Sequence, residues 1–245
     1  IRAFVWGTKA YGGTAMSQMI ERWSPNFDDR TAQISMIVLH YTGMPDGPSA
    51  LARMTEEKEP RVSAHYMVEE DGRVFALVPE DKRAWHAGRS WWRGVSDINS
   101  ASIGIEIVNP GHEFGYRPFP EAQIDAVIHL LGGIVRRHGI TRGNVVGHSD
   151  VAPARKDDPG ELFPWHRLAK LRLALPRPTK NLMDPHWSDA GFLLALERFG
   201  YDIADGPAAV RAFQRRFRPE LMDGIVDGEC RAILLALLLP KPMGD

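Results

Sequence analysis

The chain has 245 residues, 44% of them hydrophobic and 25% charged, with a formal net charge of -1. That is ordinary globular composition, long enough for one large domain or a catalytic domain plus a small one, and it excludes a nucleic-acid binder that works through bulk positive charge. A single cysteine, Cys230, excludes an internal disulfide and a cysteine-based metal site, so any metal must be held by His, Asp or Glu.

No stretch approaches the ~20 apolar residues of a membrane span; the longest apolar run is Ala232 to Leu239. Residues 1–23 read as a leader or tag-like segment. The opening IRAFVWGTKAYGGTA lacks the apolar centre of a secretion signal, and Met16 follows it. A start at Met16 places the protein in the cytoplasm; the alternative is the periplasm or cell envelope.

Residues 1 to about 30 are rich in Gly, Ser and Asp and are expected to be loop. Ile34–Leu39 (ISMIVL) has the β-branched character of a buried central strand, and His40 follows at its end. Ser49–Thr55 is expected to open a short helix. Val62–Val68 and Val74–Val78 flank an Asp71-Gly72 turn signal, which predicts a hairpin. In Ser102–Val108 (SIGIEIV) the isoleucines share one face, while Ser102, Gly104 and Glu106 share the other. A carboxylate on the same side as a glycine predicts an open, approachable face.

After Pro120, the residues Ile124, Val127, Ile128, Leu131 and Val135 form an amphipathic helical stripe that ends near His138-Gly139. Asn144–Gly147 is a short strand delivering His148, and Trp165–Leu175 reads as a helix. The order predicts a mixed sheet flanked by helices, an α/β domain over 24–175. Residues 176–186, opening on Pro176-Arg-Pro-Thr-Lys180, read as a linker. A small three-helix domain is expected over 187–240, with apolar faces in Ser188–Phe199, Pro207–Phe217 and Asp227–Leu239.

The chemistry converges on GHSDVAPARKDDPG, residues Gly147 to Gly160. Zinc takes imidazole and carboxylate ligands, and a catalytic site keeps one position for water. His40, His148 and Asp158 supply such a set, with Glu106 as general base and Lys156 as a stabiliser of a tetrahedral oxyanion. Each residue has a plainer reading. A strand-end histidine is more often merely hydrogen-bonded, and Asp-Pro-Gly commonly starts a turn. Ser149 beside His148 invites a serine-hydrolase reading, but no G-x-S-x-G elbow is present, nor an H-E-x-x-H.

The blocks IVLHYT, VSAHYMV, WHAG, SIGIEIVNPG and GHSDVAPARKDDPG-ELFPW, in this order, resemble the N-acetylmuramoyl-L-alanine amidase family of the AmpD and AmiD type. Its type 2 amidase fold is shared with peptidoglycan recognition proteins. The resemblance implies one Zn2+ and cleavage of the amide between N-acetylmuramic acid, or its 1,6-anhydro form, and the L-alanine of the stem peptide. It puts His40, His148 and Asp158 on the metal, Glu106 on the acid/base and Lys156 on the tetrahedral state. Peptidoglycan or muropeptides are the implied partners, with no nucleic acid. Tyr41, His65, Trp85, His86, Asn99, Arg89 and Arg93 are candidates for the substrate groove. His65 is equally readable as a buried core residue, and Trp85 as core. Asp97 stands near where some relatives place an arginine for the stem-peptide carboxylate, and Arg89 or Arg93 is the substitute considered. His112, His129, His138, His166 and His186 are expected to be surface or helix residues. The C-terminal segment, carrying Gly200-Tyr201, AAVRAFQRRF and Asp223–Gly228, resembles a peptidoglycan-binding three-helix domain. The alternative function is a non-catalytic wall-binding receptor on the same fold.

Overall fold

The computed structural model describes residues 19–180 and 182–239. The expected leader up to residue 18 and the proposed start at Met16 lie outside these. Strands are β1 (Met19–Glu21), β2 (Phe27–Asp29), β3 (Met36–Tyr41), β4 (Tyr66–Val68), β5 (Val74–Ala76), β6 (Lys82–Ala84), β7 (Ser102–Ile107) and β8 (Val145–Gly147). Helices are α1 (Gly47–Thr55), α2 (Ile98–Ala101), α3 (Gly111–Phe114), α4 (Glu121–His138), α5 (His148–Val151), α6 (Trp165–Lys170), α7 (Asp189–Phe199), α8 (Gly206–Phe217) and α9 (Gly228–Leu238). The main sheet runs β1-β5-β4-β7-β3-β8; β4 and β5 are antiparallel and the other pairs parallel, while β2 and β6 form a separate pair. This is the expected mixed sheet flanked by helices.

The two faces of the sheet are covered differently. Ile37 and Leu39 of β3, with Ile103, Ile105 and Ile107 of β7, pack on one side against Ile124, Val127, Leu131 and Ile134 of α4. The glycine expected to stop α4 does so: Gly139 is left-handed at φ 63, and its amide returns to Val135 O. Met36 and Val38 of β3 and Val146 of β8 point the other way, into one apolar cluster with Phe192, Leu196, Tyr201, Phe213 and Ile233. The C-terminal helices therefore complete the core of the sheet on that face, and the core does not break at the linker expected over 176–186. Further along, Ala50 and Met54 of α1 pack with Met67 of β4. The period-two alternation of β3 and β7 places His40 and Glu106 on this second face, at the carboxyl ends of the central strands, where open sheets hold their sites.

Several boundaries differ from expectation. Residues up to 30 were expected to be loop, yet β1 pairs parallel to β5 and β2 pairs with β6. Three-residue strands are too short to show periodicity. The helix expected over Trp165–Leu175 stops at Lys170, and Arg172 takes a left-handed φ of 59. In the hairpin, the His65 carbonyl still accepts from Leu77 N at 2.9 Å, while the His65 amide bonds to Gly104 O and the Ser63 amide to Trp85 O.

Candidate metal centre and active site

β3 and β7 are parallel, and His40 is the register partner of Glu106, which is itself the partner of Met67 on β4. β8 ends at Gly147, and α5 begins at once with His148. The chain then loops through Lys156 and returns as Asp158, whose carbonyl accepts from Ser149 N at 2.9 Å. A side chain at Gly147 has no room, because a Cβ would stand 2.7 Å from Pro159 Cδ. The loop thus folds tightly enough to bring His148 and Asp158 together.

Their ligand atoms form a near-equilateral triangle. His40 Nδ1 lies 2.9 Å from His148 Nδ1 and 3.0 Å from Asp158 Oδ2, and His148 Nδ1 lies 3.1 Å from the same oxygen. All three residues are buried. A tetrahedral zinc with ligands at their usual lengths would space three such atoms roughly 3.3 Å apart. The triangle is a slightly contracted face of that tetrahedron.

The outer hydrogen bonds fix what those atoms can do. His148 Nε2 lies 3.0 Å from the Ala87 carbonyl, so Nε2 carries the proton and Nδ1 is bare. Ser102 Oγ donates to Ile98 O at 2.6 Å, which leaves it as acceptor for His86 Nε2–H at 3.2 Å. His86 Nδ1 is then bare and accepts from His40 Nε2–H at 3.0 Å. His40 Nδ1 is bare in turn. These tautomers are assigned from the network. Two imidazole lone pairs and a carboxylate oxygen therefore face one another with no proton between them. Buried acceptors so arranged repel unless a cation sits among them. Burial, and next the neighbouring His148, lower His40 to about 4, so its ring is neutral and available as a ligand at neutral pH. Two neutral imidazoles and one carboxylate fit a divalent metal with an open fourth position.

Glu106 is half-buried, and its Oε2 is sealed from solvent with no hydrogen-bond partner. Burial first, and then the charge of Asp158, push its carboxyl well above 4.5; Lys156 opposes them. The same lysine charge disfavours protonation of His40. Lys156 is thus close enough to act on both groups, as an electrostatic partner of the site must be. Ser149 is buried in α5 and is committed through its amide to Asp158 O.

The expected groove residues divide. Tyr41 is half-buried, its hydroxyl 3.0 Å from His112 Nδ1, and His112 Nε2 lies 3.2 Å from Glu161. His112, a surface and helix residue as expected, links Tyr41 to Glu161 and stacks on Tyr116 at 4.4 Å. Tyr116 donates to Pro159 O at 2.8 Å and pins the loop after Asp158. The signal for this packing was Gly111: a Cβ there would stand 2.6 Å from the Tyr41 ring. Trp85 is half-buried and Arg89 exposed.

The remaining candidates are engaged with other parts of the fold. His65 is wholly buried, with Nδ1 accepting from Gly104 N at 2.9 Å and Nε2 3.1 Å from Lys82 O. His86 lies behind His40, over Gly104. The face expected to be open beside Glu106 is therefore filled, since a Cβ at Gly104 would stand 2.4 Å from the His86 ring. Asn99 Oδ1 accepts from the amides of His86 and Ala87, at 3.1 and 2.8 Å, which fixes the WHAG turn from beneath. Arg93 donates to Phe199 O at 2.9 Å and belongs to the contact with the C-terminal helices. His138 is paired with Glu80 at 2.6 Å.

Residues 30–161 match the family described as N-acetylmuramoyl-L-alanine amidase. The chain is 39% identical to the N-acetylmuramoyl-L-alanine amidase AmiD of Escherichia coli over 232 residues, covering 84% of this chain and 83% of that one. The structure of that amidase in complex with anhydro-N-acetylmuramic acid-L-Ala-D-gamma-Glu-L-Lys superposes with a TM-score of 0.76 at 38% identity, over 86% of this chain and 91% of the other. AMPDH3 from Pseudomonas aeruginosa gives a TM-score of 0.76 at 32% identity, over 95% of this chain and 98% of the other.

Proposed function

The chain belongs to the N-acetylmuramoyl-L-alanine amidase family, and on that premise we propose that its site uses zinc, held by His40, His148 and Asp158, to cut the amide between the muramic acid lactyl group and L-alanine. It is a peptidoglycan amidase of turnover or recycling. Zinc in this position supplies Lewis acidity and lowers the pKa of water towards ~7.

The chain's own residues then divide the work. His86 and Ala87 O hold the two imidazoles with Nδ1 bare, so that the ligand set needs no rearrangement. Glu106 takes a proton from the attacking water as the carbon–oxygen bond forms. It returns that proton to the alanine nitrogen as the carbon–nitrogen bond breaks, leaving a lactyl carboxylate and a free amine. A carboxyl raised well above its ordinary range holds a proton more readily, which suits its return to the leaving nitrogen. Lys156 presents positive charge to the oxyanion. The substrate-bound AmiD structure supports an anhydro-muropeptide as one substrate; Tyr41 and Trp85, both half-buried, are the residues proposed to line its path. The proposed wall-binding role of residues 187–240 rests on their sequence resemblance and is tested by sedimentation of the full chain with sacculi.

The observation that carries the reading is the triangle of three facing acceptors. The full-length protein should contain one zinc per chain and hydrolyse a muropeptide. Chelation should stop turnover and zinc should restore it. Asp158→Ala should purify without stoichiometric metal; full zinc content in that variant would remove Asp158 from the ligand set.

A further inference from the structure

We propose that Tyr201 is a positioning residue of the metal site: its hydroxyl holds Asp150, and through Asp150 the turn that presents His148. The inference rests on the reading of His40, His148 and Asp158 as a metal site. α5 is a single turn, His148–Val151, and a turn that short does not support itself. It is braced by Asp150, whose Oδ2 accepts from Gly147 N at 2.7 Å, directly before the ligand. Asp150 is 2% exposed, so its other oxygen needs a donor. That donor is the Tyr201 hydroxyl, 2.6 Å from Oδ1.

Tyr201 comes from the C-terminal helices, between α7 and α8. Its ring is fixed on several sides: edge-on to Trp92 at 5.1 Å, stacked on Phe199 at 6.2 Å, edge-on to Phe213 at 6.3 Å. The hydroxyl therefore has a set position, dictated by the core that joins the two parts of the chain. A second tie runs from α8 to the other side of the same loop. Arg215 Nη2 lies 2.6 Å from Asp157 Oδ1, one residue before the ligand Asp158. Arg216 Nη2 donates to Val145 O at 3.3 Å, at the start of the strand leading to His148. The C-terminal helices thus hold two of the three segments that deliver ligands, which is a separate task from binding wall.

The test measures zinc affinity and metal-free melting temperature together in the full-length chain. Tyr201→Phe removes only the hydroxyl and should weaken zinc about tenfold, within the range for outer partners of metal ligands. Arg93→Ala cuts a different contact between the same two parts, the bond to Phe199 O, and should lower the melting temperature without changing zinc affinity. Asp150→Ala, which leaves Gly147 N–H and the Tyr201 hydroxyl without their shared acceptor, should weaken zinc at least as much as Tyr201→Phe, and serves if that variant does not fold. Unchanged affinity in Tyr201→Phe, or in Asp150→Ala where it stands in, overturns the proposal; so does equal weakening in Arg93→Ala. If the unaltered protein binds no divalent metal, the metal-site reading itself has failed, a result distinct from either.

Discussion

A Cβ on Gly104 would stand 2.4 Å from Cγ of the His86 ring, so the glycine is the floor on which that imidazole lies. The ring in turn receives His40 Nε2–H at 3.0 Å. A glycine in the middle of a strand, costly for backbone entropy, is explained by this close approach.

Gly104→Ala should therefore act on the metal and not only on packing. The added methyl forces the ring off its place, with an overpacking cost of about 1–3 kcal/mol. Zinc affinity should fall by about 10–100-fold as His40 loses its orienting partner. Calorimetric titration reads the second effect and thermal melting the first. Lost stability with wild-type affinity would show that the relay through His86 is dispensable.

Glu106→Gln should leave zinc bound and reduce turnover by roughly 10²–10⁴. It should also stabilise the metal-free protein at neutral and alkaline pH. A carboxyl raised by burial favours the fold while it is protonated; that contribution is complete below about 4.5 and is lost as pH rises through the raised value. Glutamine does not titrate, so the melting temperatures of the two proteins should agree near pH 4 and diverge above. Parallel curves at every pH would mean that Glu106 is not held neutral by burial.

His40 and His65 titrate in the opposite sense. Burial lowers them from 6.5, to about 4 and about 3 respectively. Each contributes stability above 6.5 that is lost as pH falls towards the depressed value, because the unfolded chain takes up its protons first. Metal-free protein should thus lose stability on acidification below about pH 6.5. His65→Asn, if folded, should flatten the slope, which a series of melts across pH 4 to 7 checks.

Ending the chain after Lys180 should unfold it, not merely free it from wall. Met36, Val38, Trp92 and Val146 bury against Phe192, Phe213 and Ile233, and removing those helices exposes the part of that face carried by β3 and β8. Circular dichroism should show no cooperative melt in the shortened chain. A sharp transition near the full-length temperature would mean that the two parts fold separately.

The strongest elements were legible because their periods are long or their residues unusual. The α4 stripe and its Gly139 stop could be read directly, and Glu106 inside a strand announced itself as a carboxylate with a purpose. What the pattern could not show was which residues stand behind the ligands. His86 and Asn99 read as groove residues because sequence carries no depth; only the fold reveals that one lies beneath His40 and the other beneath the turn. Tyr201 was equally hidden, because its partner Asp150 is distant in the chain.

His40, His148 and Asp158 all precede Tyr201 in the chain, so during synthesis the ligands emerge before the side chain that braces the turn between two of them.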